Sequence, residues 1–243
     1  MKIMKKSQKI IAVCFAVFLI LTGAWFWYVG DYYHADADVY TGLSDHGFSV
    51  ETIDNLMIFS PDDPIAGLVF YPGGKVEHTA YVPLMSAMAE QGVLCILVEM
   101  PCRLAILDGN AADGLTDAYP EITDWYIGGH SLGGVMASSY VSEHPDDWKG
   151  LLLLAAYSSW DLRESGLHVV SVYGTNDGVL NRKQVEKNRT NLPAELSELV
   201  IEGGCHALFG AYGAQKGDGV PEISRDEQIG QTVSFFLETV KGQ

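Results

Sequence analysis

The sequence predicts an α/β fold, a mostly parallel sheet with helices on both faces. Three observations predict it. Continuous apolar runs recur at 65–71 (IAGLVFY), 93–98 (VLCILV), 151–156 (LLLLAA) and 167–173 (LHVVSVY). They have strand length and lack the alternation of a sheet wetted on one face. Segments of helical spacing separate them, the pattern of parallel strands joined by crossovers. Loops rich in glycine follow the runs, at the strand ends where open parallel sheets bind ligands. With 48% apolar and 19% charged residues among 243, the chain suits one domain with a sizeable core plus an appendage.

The appendage is N-terminal. Residues 1–9 are basic through Lys2, Lys5, Lys6 and Lys9, and residues 10–30 carry no charged side chain. Twenty apolar residues rise about 30 Å as a helix, the thickness of a bilayer core. Trp25, Phe26, Trp27 and Tyr28 crowd its far end, where an aromatic belt belongs. A transmembrane signal-anchor is expected, N-terminus cytoplasmic and body outside. The alternative is a cleaved signal peptide, with Thr22-Gly23-Ala24 as a poor cleavage site. All 31 acids lie after residue 30, against 11 bases, so the body carries a net charge of −20. Such a charge disfavours nucleic acid and anionic headgroups as partners. It also serves simply to keep an exported domain soluble.

Taken in order, residues 31–47 are polar and acidic and read as a tether to a domain spanning 48–243. One or two strands are expected over 48–60, then a turn at Pro61-Asp62-Asp63-Pro64. The run 65–71 is a buried strand, ended by Pro72-Gly73-Gly74-Lys75. Residues 79–90 have helical spacing, 93–98 form a buried strand, and 110–119 suggest a short helix. A strand at 125–128 leads through Ser131 to a helix at 132–143. Strands follow at 151–156 and 167–173, a charged helix at 182–191, a short strand at 199–202 and an amphipathic helix at 229–240.

Residues 129–134 read Gly129-His130-Ser131-Leu132-Gly133-Gly134. A Gly-x-Ser-x-Gly match alone is weak, but this one sits between a strand and a helix. A sharp strand-to-helix turn strains the serine backbone and exposes its hydroxyl. The glycines let strand and helix approach, and the helix N-terminus aims free N–H groups, Leu132's first, at a developing oxyanion. A serine needs a base. Of seven histidines, His34 and His46 lie in the tether, His144 ends a helix and His168 falls in a strand. His206 follows the last short strand in Ile201-Glu202-Gly203-Gly204-Cys205-His206. The acid is expected between them, at Asp177 in Tyr173-Gly174-Thr175-Asn176-Asp177-Gly178, with Asp161 as the competitor. The order Ser131, Asp177, His206 is that of α/β hydrolases.

Four stretches resemble a small α/β-hydrolase group related to dienelactone hydrolases and esterases. They are 70–77 (FYPGGKVE), 129–134 (GHSLGG), 173–178 (YGTNDG) and 203–210 (GGCHALFG). The resemblance implies the α/β-hydrolase fold and an oxyanion loop at Pro72-Gly73-Gly74, with proline where the group carries histidine. Gly74 would then donate beside Leu132, with Lys75 nearby. Only about ten residues separate the strands at 151–156 and 167–173, too few for a mobile lid. An open site is expected, with Tyr71, Met100, Tyr157, Trp160, Leu208 and Phe209 lining an apolar pocket or, equally, packing in the core.

No His-Glu-x-x-His, paired Cys-x-x-Cys or phosphate-binding glycine motif occurs in the sequence, so neither metal nor cofactor is expected. The expected activity is a serine hydrolase on small carboxylic esters. An acyltransferase and a non-catalytic binding protein of the same fold are the alternatives; oligomeric state is left open. Cys102 and Cys205 both follow strands and both depart from the resembled group. Outside the cytoplasm they suggest a disulfide, closing a loop of about a hundred residues and worth up to about 4.7 kcal/mol in the chain-entropy account. The alternative is two independent small apolar residues.

Overall fold

A computed structural model describes residues 6–41, 43 and 47–242. Lys2 and Lys5 of the basic N-terminus and tether positions 42 and 44–46, His46 among them, lie outside the described residues. The chain divides into a unit ending at Tyr32 and a body from Tyr33 onward.

In the first unit a single helix, α1 (Lys6–Gly30), takes in the whole apolar run. Its 25 residues rise about 37 Å. No side chain of its span Ser7–Gly30 is buried, and its length and apolarity are enough to cross a membrane.

The body is built on eight strands: β1 (Phe48–Ile53), β2 (Leu56–Pro61), β3 (Ala66–Tyr71), β4 (Val93–Val98), β5 (Trp125–His130), β6 (Gly150–Leu154), β7 (His168–Gly174) and β8 (Ser197–Ile201). They lie in one sheet in the order β1-β2-β4-β3-β5-β6-β7-β8. Pairing is antiparallel from β1 to β2 and from β2 to β4, and parallel across the other five pairs. The α-helices among the described residues of the body are α2 (Val82–Ala89), α3 (Leu132–Glu143), α4 (Arg182–Asn188) and α5 (Arg225–Lys241).

The apolar runs are buried on both sides because two cores sandwich the sheet. On β3, Leu68 and Phe70 point into one core with Met85, Tyr126 and Phe236, which α2 and α5 close. Val69 and Tyr71 point into the other with Ile127, Leu153 and Val141, on the side of α3. Alternation therefore exists in direction and not in polarity, as expected of a sheet covered on both faces.

Three sequence expectations need correction. Residues 110–119 form no α-helix; the 99–124 segment is a series of turns with short 3₁₀ pieces, Ala105–Leu107 and Thr116–Ala118 among them. Glycine at 109 and 114 and few apolar anchors left the helical pattern without a face to bury. The described part of the tether is no free linker. Tyr33 bridges Val76, the Asp36 N–H donates to the Ala211 carbonyl (2.8 Å), and Val39 is buried. Cys102 and Cys205 are both free thiols, the first exposed and the second buried. Strand order explains it. Cys102 follows β4 and Cys205 follows β8, five strand positions apart, about 24 Å at ordinary spacing, and a disulfide needs Cα atoms within about 7 Å.

Candidate active site

β5 runs straight into α3 with Ser131 as the helix N-cap, at φ 53° and ψ −120°. That is a positive φ on a residue with a side chain, a conformation costing on the order of 1–3 kcal/mol that the surroundings must impose. The Ser131 N–H donates to the Leu154 carbonyl at the end of β6 (2.9 Å), and its hydroxyl does not cap the helix. The elbow closes only because residue 133 is glycine: a Cβ there would stand 2.1 Å from the Tyr71 carbonyl oxygen. α3 thus lies against the end of β3.

Asp177 and His206 come from the loops after β7 and β8, which are neighbours in the sheet. Both side chains are buried, and His206 Nδ1 stands 2.9 Å from Asp177 Oδ2. Asp177 Oδ1 accepts from the N–H groups of Val179 (2.9 Å) and Leu180 (2.7 Å), which locks the carboxylate. A carboxylate so engaged accepts a hydrogen bond from the Nδ1–H of a neutral imidazole and leaves the Nε2 lone pair free. Nε2 is buried and, among the described residues, has no hydrogen-bond partner. The two loops meet at Gly174 and Gly204, where a Cβ on Gly174 would lie 2.1 Å from the Gly204 carbonyl carbon. Arg182 holds the acid loop from outside, donating to the carbonyls of Gly174 (2.7 Å) and Thr175 (2.9 Å). The competing acid, Asp161, is exposed and forked onto Arg163, whose hydrogen bonds hold it down at about 2.

Gly74 and Leu132 are adjacent, since a Cβ on Gly74 would stand 2.9 Å from Leu132 Cδ2. Among the described residues neither backbone N–H finds an acceptor. The loop that presents Gly74 turns at Lys75 (φ 61°), whose own N–H donates to the Arg103 carbonyl (2.8 Å).

Sequence reasoning passed over His130 and Tyr81. His130 is 1% exposed and packs against His206 with the rings tilted by 51° and their centroids 4.4 Å apart. Tyr81 Oη lies 2.7 Å from His130 Nδ1 and accepts the Gly73 N–H at 3.0 Å. Burial first, and the His206 ring next, hold His130 well below the ordinary histidine value. It is therefore neutral, and Tyr81, whose phenol burial pushes up, donates to it. This chain of contacts ties the residue before Ser131 to the loop presenting Gly74 and to His206. No one-dimensional pattern marks it, because its members stand far apart in the chain.

The expected pocket residues divide. Tyr71, Met100 and Phe209 take the second of the two alternatives and pack in the core. The Tyr71 hydroxyl donates to the Gly109 carbonyl (3.0 Å) and accepts the Ala112 N–H (2.9 Å), so it pins the 104–112 turns. Tyr157 and Trp160 are half-buried on the loop after β6. Leu208 is half-buried and faces a cavity of about 420 Å³ shared with Ala207, Ala214, Val220 and Arg225. Among the described residues no group of acidic, histidine and cysteine side chains could hold a metal ion.

Solved structures share this architecture. A dienelactone hydrolase from Anabaena variabilis superposes with a TM-score of 0.60 at 12% identity, over 79% of this chain and 99% of its own. A carboxylesterase from Bacillus subtilis gives 0.58 at 11%, over 89% and 98%. A bacterial membrane phospholipase A gives 0.57 at 12%, over 97% and 99%. No curated protein matches the sequence. At such identities the likeness establishes the fold, an α/β-hydrolase sheet, and not the substrate. The sequence itself goes further, because the model of the alpha/beta hydrolase family matches residues 67–230, more than half of the chain. The elbow at Ser131, the strand order and that match lead to one assignment: the chain belongs to the alpha/beta hydrolase family.

Proposed function

We propose that the protein is a serine hydrolase acting on small carboxylic esters, held at a membrane by α1 with its body outside the cytoplasm. The observation that carries the reading is the buried Asp177–His206 pair with Nε2 unpartnered, at the sheet edge where Ser131 sits in its strained turn. Ser131 Oγ attacks the ester carbonyl while Nε2 takes its proton. The C–O bond to the alcohol then breaks, and the alcohol leaves with that proton. Water attacks the acyl-serine through the same base and returns the serine. The oxyanion formed in both halves takes the N–H groups of Gly74 and Leu132, donors worth on the order of 10²–10³ in rate each. The dienelactone hydrolase, carboxylesterase and phospholipase among the similar structures lend support to ester chemistry.

The segment between β6 and β7 carries no helix that would serve as a lid. A panel of p-nitrophenyl esters of rising chain length tests the reading. Short soluble esters should be turned over with ordinary saturation and be the best substrates. A rate that jumps when a long-chain ester passes its solubility limit, or a preference for phospholipid vesicles, would overturn the small-ester assignment while leaving the serine chemistry standing.

A further inference from the structure

Asp218 lies on the long loop between β8 and α5, in Gly217-Asp218-Gly219. Its carboxylate accepts four backbone N–H groups. Oδ1 takes those of Gly178 (3.1 Å), His206 (3.2 Å) and Gly219 (2.8 Å), and Oδ2 takes that of Ala207 (2.8 Å). Three of the four donors belong to the two loops that carry Asp177 and His206. Gly178 is the residue after Asp177; the other two are His206 itself and its successor. Asp218 is thus a single charged group fastened to both halves of the pair.

The surroundings are built for this approach. A Cβ on Gly178 would stand 2.4 Å from the Gly217 carbonyl oxygen, and one on Gly219 would stand 1.9 Å from the Asn176 carbonyl oxygen. Asn176 also donates from Nδ2 to the Val220 carbonyl (3.0 Å). Burial by itself would raise the Asp218 carboxyl, but its backbone donors outweigh burial and hold it below the ordinary value, so the group is ionised. Hydrogen bonds to a charged acceptor are roughly twice as strong as neutral ones, and catalytic geometry is lost over shifts of about an ångström.

We propose that Asp218 is the positioning residue of the site: its carboxylate sets the separation and alignment of His206 and Asp177 through their backbones, without touching substrate. The proposal rests on the hydrolase reading above for its effect on rate, though not for its effect on the pair.

The test compares wild type with Asp218→Asn and Asp218→Ser in the full chain. Asparagine keeps the size but offers one acceptor oxygen, and turns an N–H₂ toward N–H donors. Serine keeps a single acceptor and no charge. Four quantities are read well below each variant's melting temperature: kcat and KM on a short p-nitrophenyl ester, the rate of fluorophosphonate labelling, and the far-downfield proton resonance of the His206 Nδ1–H···Asp177 hydrogen bond. The expected result is kcat and labelling rate reduced about 10- to 100-fold with KM within about twofold, native circular dichroism, and loss or a clear shift of the resonance. A folded variant with wild-type kcat and an unmoved resonance overturns the proposal. So does an activity loss that only follows the unfolded fraction. If wild-type Ser131 does not label at all, the hydrolase reading fails on its own, and the resonance still decides whether Asp218 aligns the pair.

Discussion

Ser131→Ala should remove ester turnover by more than about 10⁴-fold in kcat while the melting temperature and circular dichroism stay close to wild type. The hydroxyl is the attacking group in the proposed reaction, and it makes no cap hydrogen bond to α3 that alanine would forfeit. Alanine keeps the same backbone demand at φ 53°, so the elbow is held as before. Fluorophosphonate labelling should vanish with turnover. His206→Ala should cost nearly as much, and the double variant little more, because members of such a unit act together. Retention of more than about a hundredth of wild-type kcat in Ser131→Ala would refute the nucleophile assignment.

Asp177→Asn should lower kcat about 10⁴-fold, and Asp161→Asn should leave it within about twofold. Asparagine at 177 can turn its N–H₂ toward His206 Nδ1, which forces the proton to Nε2 and removes the lone pair the serine needs. The fold should survive, since the amide oxygen still accepts from Val179 and Leu180. Among the described residues Asp161 has only Arg163 to lose, and both are exposed. Steady-state rates on one soluble ester decide between them; severe loss in the Asp161 variant with a mild one at 177 would move the acid to the other loop.

Much of this arrangement was legible because it is written locally. The strand at 93–98 and the helix at 132–143 coincide with β4 and α3, since a continuous apolar run and a glycine-flanked serine depend on neighbours in sequence. The placement of Ser131, Asp177 and His206 just past strands was legible too, because the strands are marked by local apolar runs. What failed depends on strand order, which no local pattern contains. Cys102 and Cys205 both read as carboxyl-edge residues, yet β4 and β8 stand far apart in the sheet. Tyr71, Met100 and Phe209 read as pocket or core, and only the sandwiching of the sheet by two cores decided it. Asp218 was passed over because its partners are backbone amides, which leave no trace in side-chain sequence; its flanking glycines were the one visible sign. The tether was misjudged through its acidity, although Tyr33 and Val39 sit in it as apolar anchors on the body.

The backbone at Ser131 sets chemistry against persistence. Glycine adopts φ 53°, ψ −120° without the Cβ penalty, so Ser131→Gly should relieve part of a strain on the order of 1–3 kcal/mol, less the roughly 0.5–1 kcal/mol by which glycine loosens the unfolded chain. It should therefore melt about 2–4 °C above Ser131→Ala, a shift that corresponds to about 1 kcal/mol in a domain of this size. Equal melting temperatures would mean that the surroundings, and not the residue, absorb the strain. If the difference holds and Ser131→Ala melts with wild type, the molecule is more durable without its proposed nucleophile than with it. Selection for stability alone would drift position 131 toward glycine, and in the proposed chemistry it is the demand for turnover that keeps a serine there.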